Sequence, residues 1–127
     1  EDSKNTVNAF DNKKSKEKVI HIAAKYGHSD VIEVLLDFGA DAKAPLLSED
    51  RKTAIHLASE KGHLDAVKVL VTHPSFGNKK KMLLYRDKLK RLPITLAVKN
   101  GHFEVAKYLL MQGSPPEAPD TSSNYPV

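Results

Sequence analysis

The sequence contains no cysteine, which excludes disulfide bonds, thiolate metal sites and cysteine nucleophiles. No apolar run approaches the roughly 18 residues that a membrane-spanning helix needs. The first ten residues are polar and lack the apolar core of a secretory signal. We therefore expect an intracellular protein, cytoplasmic or nuclear. Because residue 1 is Glu rather than Met, we also expect that the chain was excised from a longer protein.

Motifs for catalysis and for cofactor binding are absent as well. The chain has no G-x-S-x-G, no P-loop, no G-x-G-x-x-G and no suggestive pair of carboxylates. Six histidines raise the question of a metal site, but there is no HExxH pattern and no cysteine to complete one. We predict that the chain is not an enzyme, holds no cofactor and binds no metal.

The composition of the 127 residues suits one small folded unit or a short run of repeats, with 40% hydrophobic and 28% charged residues. The net charge of +4 is unevenly distributed. Residues 79–91, hereafter the basic segment, read KKKMLLYRDKLKR and carry seven basic residues against one acidic residue. Any attraction to an anionic partner should therefore come from this segment.

Three segments of the chain, residues 18–41, 53–74 and 92–113, align without gaps. Each segment contains two helix patterns separated by a Gly-His pair. The glycine suits a left-handed turn that ends the first helix, and an acidic residue at the start of the second helix complements the helix dipole. The first helices are predicted at about 19–26, 54–61 and 93–100. The second helices are predicted at about 30–38, 65–73 and 104–112, with Leu35, Leu70 and Leu109 buried.

The sequence TAIHLA at residues 53–58, the three Gly-His pairs and Gly39-Ala40-Asp41 resemble the ankyrin repeat. The resemblance implies an all-α solenoid of antiparallel helix pairs with β-hairpin fingers, covering residues 13–113 as repeats of about 13–47, 48–86 and 87–113. Residues 1–12 are interpreted as a lead-in that ends a preceding repeat of a longer array. Residues 114–127 are rich in proline and serine and are predicted to form a flexible tail.

Departures from the family pattern point to two regions. Thr53 and His56 are both present and should brace the neighbouring turn by hydrogen bonds, whereas the first repeat (KVIH) and the third repeat (LPIT) are expected to lose half of this brace. The spacings of 35 and 39 residues exceed the usual period of about 33, which places insertions between each second helix and the next finger. Such insertions often lie on the binding face.

The resemblance implies a non-catalytic scaffold or recognition module that acts as a monomer and binds another protein. In the family, partners contact the finger tips and the exposed residues of the first helices, which form the concave face. The tip positions here are Glu49, Asp50, Lys52, Lys88, Leu89 and Arg91. The helix positions are Lys25, Tyr26, Glu60, Lys61, Lys99 and Asn100.

The basic segment supports an alternative function. Lys79, Lys80, Lys81 and Arg86 are candidates for contact with an anionic membrane surface or an acidic partner, above Met82, Tyr85 and Leu89 at helical spacing. Because so short an isolated helix is marginal, we favour a solvated finger whose apolar residues pack against the array. Nucleic acid is not expected, since no recognition motif accompanies the charge. A structural or regulatory role within a larger channel or enzyme also remains open.

Overall fold

The computed structural model describes residues 10–12, 17–46 and 50–116. Most of the expected lead-in, most of the expected tail and Glu49 lie outside the described residues. Side chains are described from residue 19 onward, except Ser75. The secondary structure comprises strands β1 (Phe10–Asn12) and β2 (Glu17–Lys18), followed by helices α1 (Val19–Lys25), α2 (Ser29–Asp37), α3 (Ala54–Lys61), α4 (Leu64–Thr72), α5 (Lys79–Leu83), α6 (Pro93–Lys99) and α7 (Phe103–Met111).

The helices form three antiparallel pairs that stack side by side, here called repeats 1, 2 and 3. Helix α3 contacts both α1 and α6, and α4 contacts both α2 and α7. The pairs α1–α2, α3–α4 and α6–α7 each pack together within a repeat. The three pairs begin and end within one residue of the predicted helices. The predicted all-α repeat fold is therefore confirmed.

Each first helix ends at the predicted glycine turn. Gly27, Gly62 and Gly101 have φ values of +74°, +76° and +74°, a left-handed conformation that disfavours residues with a Cβ. After the turn, the amide of the following histidine donates to a carbonyl in the first helix, for example from His63 to Ala58 over 2.9 Å. The repeated Gly-His pair therefore reverses the chain in the same way three times.

Alanines and leucines at equivalent positions fill the interior of the stack. Ala58 and Ala97 are fully buried in the first helices, and so are Leu70 and Leu109 in the second helices. The prediction for Leu35 is wrong, because this leucine is only partly buried. Among the described residues no helix pair precedes α1, so that Leu35 lacks the neighbour that covers Leu70 and Leu109.

Short extended segments form the fingers that precede the first helices. Strands β1 and β2 pair antiparallel and lead directly into α1. Before α3, Leu46 and Lys52 form a single antiparallel bridge, with the Leu46 amide donating to the Lys52 carbonyl over 2.7 Å. The third finger spans Asp87 to Leu92, where the Asp87 amide donates to the Arg91 carbonyl over 3.0 Å.

The longer insertion, between α4 and the third finger, contains the short 3-10 helix Pro74–Phe76 and helix α5. The Asn78 side chain caps α5 by accepting a hydrogen bond from the Lys81 amide over 2.9 Å. Phe76, Met82 and Leu83 are buried. Burial of these side chains stabilises a five-residue helix that would be marginal in isolation. Of the apolar residues expected to pack against the array, Met82 is buried and Tyr85 is half-buried, whereas Leu89 is exposed. The expected solvated finger is wrong for residues 79–83, which form a helix.

Candidate protein-binding surface

The second finger does not present all of its predicted tip residues to solvent. Lys52 is only 8% exposed, and its ammonium Nζ lies 2.8 Å from Oε1 of Glu60 in α3. The two predicted contact residues therefore form an ion pair that ties the finger to the first helix of its own repeat. The expectation that Lys52 is an exposed tip residue is wrong, because its position beside Glu60 favours pairing over solvation. Asp50 is partly exposed, with a left-handed φ of +58°.

The third finger is organised by a buried aspartate. Asp87 is 4% exposed, and its Oδ1 accepts hydrogen bonds from the backbone amides of Leu89 at 2.9 Å and Arg91 at 2.8 Å. Its Oδ2 accepts from Nε of Arg91 at 2.9 Å. These bonds compensate the carboxylate for its removal from water. Asp87 was not among the predicted site residues, although it is the only acidic residue of the basic segment and begins the finger motif.

Arg91 links the third finger to the second. Besides its bond to Asp87, its Nη2 lies 3.3 Å from Oδ2 of Asp50. The Lys88 amide also donates to the Asp50 carbonyl over 2.6 Å. Arg91 is thus mainly a structural residue, half-buried between two carboxylates. The residues of the third finger that face solvent are Lys88, Leu89 and Lys90, and Leu89 has 56% of its surface exposed.

The ends of α1, α3 and α6 form a second exposed surface, hereafter the first-helix surface. Tyr26 is 62% exposed, and Lys61 and Lys99 are exposed as predicted. Asn100 is exposed, but its side-chain amide donates to the Glu60 carbonyl at 3.3 Å and to the Leu96 carbonyl at 3.1 Å. Lys25 is half-buried. Tyr26, Lys61 and Lys99 are the predicted helix positions that the structure leaves most accessible.

The histidines stabilise the scaffold beneath these surfaces. His56 Nδ1 accepts from the Thr53 hydroxyl at 2.9 Å and from the Thr53 amide at 3.3 Å, while Nε2–H donates to the Arg91 carbonyl at 3.0 Å. Burial lowers the pKa of His56 from 6.5 to about 4, which keeps the ring neutral near pH 7 and matches this hydrogen-bonding pattern. The predicted brace of Thr53 and His56 is confirmed. It also connects the second repeat to the third.

His21 makes a similar bond in the first repeat. Its Nε2 lies 2.8 Å from the Ala44 carbonyl, so this buried histidine fixes the connection after α2. The first repeat thus keeps an inter-segment bond even though Lys18 replaces the threonine of the motif. In the third repeat, Thr95 stands at the histidine position, and its hydroxyl accepts from the Leu92 amide at 3.4 Å. Each repeat therefore uses a different part of the brace.

The basic segment does not form a uniform cationic face. The Lys79 ammonium donates to Oε1 of Gln112 at 2.9 Å, and Nη1 of Arg86 donates to the Lys90 carbonyl at 3.1 Å. Lys80 and Lys81 are exposed. Of the apolar residues at helical spacing, Met82 is buried and Tyr85 half-buried, whereas Leu89 belongs to the third finger. These three residues therefore do not form the single helical face that the alternative function considered for the basic segment.

A cavity of about 290 Å³ opens beside α5. The cavity is lined by Lys43, Phe76, Asn78, Lys81, Met82 and Tyr85. No local sequence pattern indicates this cavity, because its walls come from two insertions that are 30 or more residues apart in the sequence. The one sign in the sequence is the spacing of 39 residues between Gly62 and Gly101, which indicates an insertion in this region.

Neither a metal site nor a membrane span is visible in the part of the chain that the structure describes. There, no group of three or more histidine, aspartate or glutamate side chains is arranged to hold a metal ion. No described helix is long and apolar enough to cross a bilayer.

The stacked helix pairs and their fingers define a repeat solenoid with exposed loop tips. Proteins of this class bind through extended surfaces rather than enclosed pockets. A family model for ankyrin repeats, in three copies, matches residues 3–82 and 20–120. The chain belongs to the ankyrin-repeat family. No curated protein matches the sequence. Ankyrin repeats generally bind other proteins and are typically non-catalytic, which agrees with the sequence-based expectation at this coarse level.

Proposed function

We propose that the chain is a non-catalytic recognition module that binds a protein through the tip of the third finger and the first-helix surface. The observation that carries the proposal is the exposure of Tyr26 and Leu89, at 62% and 56%, on segments that are otherwise held firmly. Exposed aromatic side chains are common anchors in protein interfaces, and exposed apolar surface marks interaction sites. Lys61 and Lys99 provide charged groups that can select an acidic partner surface.

The hydrogen bonds beneath the third finger support this proposal. Asp87 and Arg91 fix the backbone from which Leu89 projects, so that little conformational entropy is lost on binding. Asp50 connects this finger to the one before it. A finger held in this way suits recognition better than a freely moving loop. Glu49 and Asp50 of the second finger stay predicted contacts, and Glu49 lies outside the described residues.

A display selection with the purified chain as bait tests the proposal. Binders selected from a protein or peptide display library should bind the Tyr26→Ala and Leu89→Ala variants at least about tenfold more weakly, because hot-spot side chains contribute 2 kcal/mol or more. Phe38→Ala is the matched control, since Phe38 is also an exposed aromatic, at 74%, but follows a second helix. Equal binding by all three variants would refute the proposed surface.

A second candidate function uses the basic segment. Lys80 and Lys81 are exposed and have no acidic partner among the described residues, so their charge is available to an anionic membrane or an acidic protein. If the chain has this function, the wild-type chain should co-sediment with acidic vesicles at low salt. Replacing Lys79, Lys80 and Lys81 with Glu should then abolish sedimentation, because each lysine near such a surface contributes about 1 kcal/mol. Absence of wild-type sedimentation at low salt would eliminate this function.

A further inference from the structure

Asn100 is followed by a glycine, and Asn100-Gly101 is the only Asn-Gly pair in the sequence. Asparagine is one of the thermally labile residues of proteins, because the backbone nitrogen of the next residue can attack its side-chain carbonyl carbon. Glycine hinders this attack least, since it has no side chain and its backbone is the most flexible. The pair therefore places a reactive asparagine at the turn between α6 and α7.

The reaction joins the asparagine side chain to the following peptide nitrogen in a succinimide ring. The Gly101 nitrogen loses its proton and forms a bond to Cγ of Asn100, while the bond from Cγ to Nδ2 breaks and ammonia leaves with that proton. Water then opens the ring at either of its carbonyl carbons. One opening gives aspartate, and the other gives isoaspartate, in which the main chain passes through Cβ and Cγ. Water is the only co-reactant.

The folded chain keeps the attacking nitrogen away from the side chain of Asn100. Ring closure requires Cβ of Asn100 and the Gly101 nitrogen to lie nearly eclipsed about the Cα–C bond, a backbone conformation between the α and β regions. Asn100 instead has a ψ of 9°, as the residue that ends α6. The Gly101 amide also donates a hydrogen bond to the Val98 carbonyl over 3.1 Å. The nitrogen is therefore both misdirected and hydrogen-bonded.

The side-chain amide of Asn100 is held in place as well. Its Nδ2 donates to the Leu96 carbonyl at 3.1 Å within α6 and to the Glu60 carbonyl at 3.3 Å in repeat 2. The same Glu60 carbonyl lies 2.9 Å from Nε2 of His102. The Glu60 carbonyl thus accepts two hydrogen bonds across the junction between repeats 2 and 3. Rotation of the Asn100 side chain toward Gly101 requires its contact with repeat 2 to open.

Either product weakens this junction once it has formed. Ionised aspartate has no side-chain donor, so its carboxylate would face the carbonyl oxygens of Leu96 and Glu60. Its charge would also lie at the carboxyl end of α6, where the helix dipole disfavours an anion. Isoaspartate lengthens the main chain by one carbon just before Gly101 and therefore displaces His102 from the Glu60 carbonyl.

We propose that Asn100 is a site of spontaneous deamidation, which the contacts between repeats 2 and 3 suppress in the folded chain and which opening of that junction permits. The modification replaces a neutral donor with an anion and so marks chains whose junction has opened. Because the product holds the junction less firmly, the change is also self-reinforcing. The reaction needs only water, so it is independent of the proposed partner binding.

Peptide mapping by mass spectrometry on the full chain tests the proposal, at mildly alkaline pH with and without denaturant. Asn100 should convert to aspartate and isoaspartate in denaturant, and at least about tenfold more slowly in the folded chain, because local opening must come first. Asn78 is the internal control: it precedes Lys79, whose side chain hinders ring closure, and should convert far more slowly than Asn100 in denaturant. No conversion of Asn100 in denaturant, or equal rates with and without denaturant, would overturn the proposal.

Two histidine variants test which junction controls the reaction. His102→Ala removes a hydrogen bond between repeats 2 and 3, and His63→Ala removes the equivalent bond, 3.0 Å to the Lys25 carbonyl, between repeats 1 and 2. In the folded chain, His102→Ala should raise the conversion rate of Asn100 about three- to tenfold, whereas His63→Ala should leave it near the wild-type value. Rates in denaturant correct for any direct effect of the substitutions. An unchanged rate in His102→Ala, or equal acceleration by both variants, would overturn the role assigned to this junction.

Asn100→Asp tests the consequence of the modification. This variant carries the aspartate product, and its denaturation midpoint should lie below that of the wild type. Asn78→Asp is the matched control: Oδ1 of Asn78 accepts from the Lys81 amide over 2.9 Å at the start of α5, and aspartate keeps that acceptor. The midpoint of the control should stay close to the wild-type value. Equal midpoints for the two variants would contradict the proposed weakening of the junction.

Discussion

The middle repeat and the two outer repeats contain nearly the same helices but bury them differently. Leu70 in repeat 2 is fully buried, whereas the equivalent Leu35 in repeat 1 is partly exposed. Ser59 is fully buried in repeat 2, whereas the equivalent Val98 is 63% exposed in repeat 3. A small polar residue is thus inside and a larger apolar one outside at the same position. Burial in this array is decided by whether a neighbouring helix pair is present, more than by the residue type.

The largest expected effect comes from truncating the shared leucine in the middle repeat. Leu70→Ala should lower the free energy of unfolding by about 2–5 kcal/mol, the usual cost of a cavity in a packed core. Leu109→Ala should cost less, because repeat 3 has one neighbouring repeat fewer, and Leu35→Ala should cost least. Chemical denaturation of the three variants measures the order. A greater loss at Leu35 than at Leu70 would contradict the explanation based on neighbours.

Asp87 provides a test of the connection between the second and third repeats. Asp87→Ala should destabilise the chain by about 2–4 kcal/mol, because it leaves Arg91 and two backbone amides without their buried acceptor. Asp50→Ala is the control: it also removes a carboxylate from Arg91, but Asp50 is more exposed and should cost under about 1 kcal/mol. Thermal or denaturant unfolding distinguishes them. Equal losses would mean that the buried bonds of Asp87 are not what stabilises the finger.

The buried brace of the middle repeat should make stability depend on pH. The pKa of His56 is about 4 in the folded chain and 6.5 when the ring is solvated. As the pH falls, His56 is therefore protonated in the unfolded chain before it is protonated in the folded chain. The free energy of unfolding decreases as the pH drops below 6.5 toward 4. Between about pH 7.5 and pH 5, the wild type should lose roughly 2 kcal/mol more than His56→Gln does. Parallel pH profiles for the two chains would show that His56 is not the cause.

The smallest effect is a difference between two glycines with the same backbone conformation. Gly62→Val and Gly101→Val both place a β-branched residue at a left-handed φ, which costs about 1 kcal/mol or more in each case. Gly62→Val should cost about 1 kcal/mol in addition, because its Cβ displaces the His102 ring and breaks the bond to the Glu60 carbonyl. Within the part of the chain that the structure describes, nothing lies within 4 Å of a Cβ at Gly101.

Denaturation midpoints of the two glycine variants at low protein concentration give this difference. A midpoint for Gly62→Val equal to that of the wild type would mean that the left-handed turn does not limit stability. A larger loss at Gly101 than at Gly62 would contradict the assigned role of the histidine ring.

The exposure of the predicted interaction residues depends on local structure in some cases and on contacts with other segments in others. Five of these residues are exposed as expected because of their local position. Three of them lie at the ends of first helices (Tyr26, Lys61 and Lys99), and two lie in the turn of the third finger (Lys88 and Leu89). Lys52 and Arg91 also lie in fingers, but Lys52 is held by Glu60 of α3, and Arg91 is held by Asp87 of its own finger and by Asp50 of the second finger. The pairing with Asp50 has no local pattern, since Arg91 and Asp50 are 41 residues apart.

The sequence alone determined the three helix pairs, their boundaries to within one residue and the glycine turns between them. These features follow from apolar periodicity, helix dipoles and the freedom of glycine, which act over a few neighbouring residues. Only the tertiary structure decided that α5 forms, that a cavity opens beside it and that Asp87 organises the third finger. The physical reason is that these features depend on contacts between distant segments: Met82 and Leu83 stabilise a short helix only because the stack buries them.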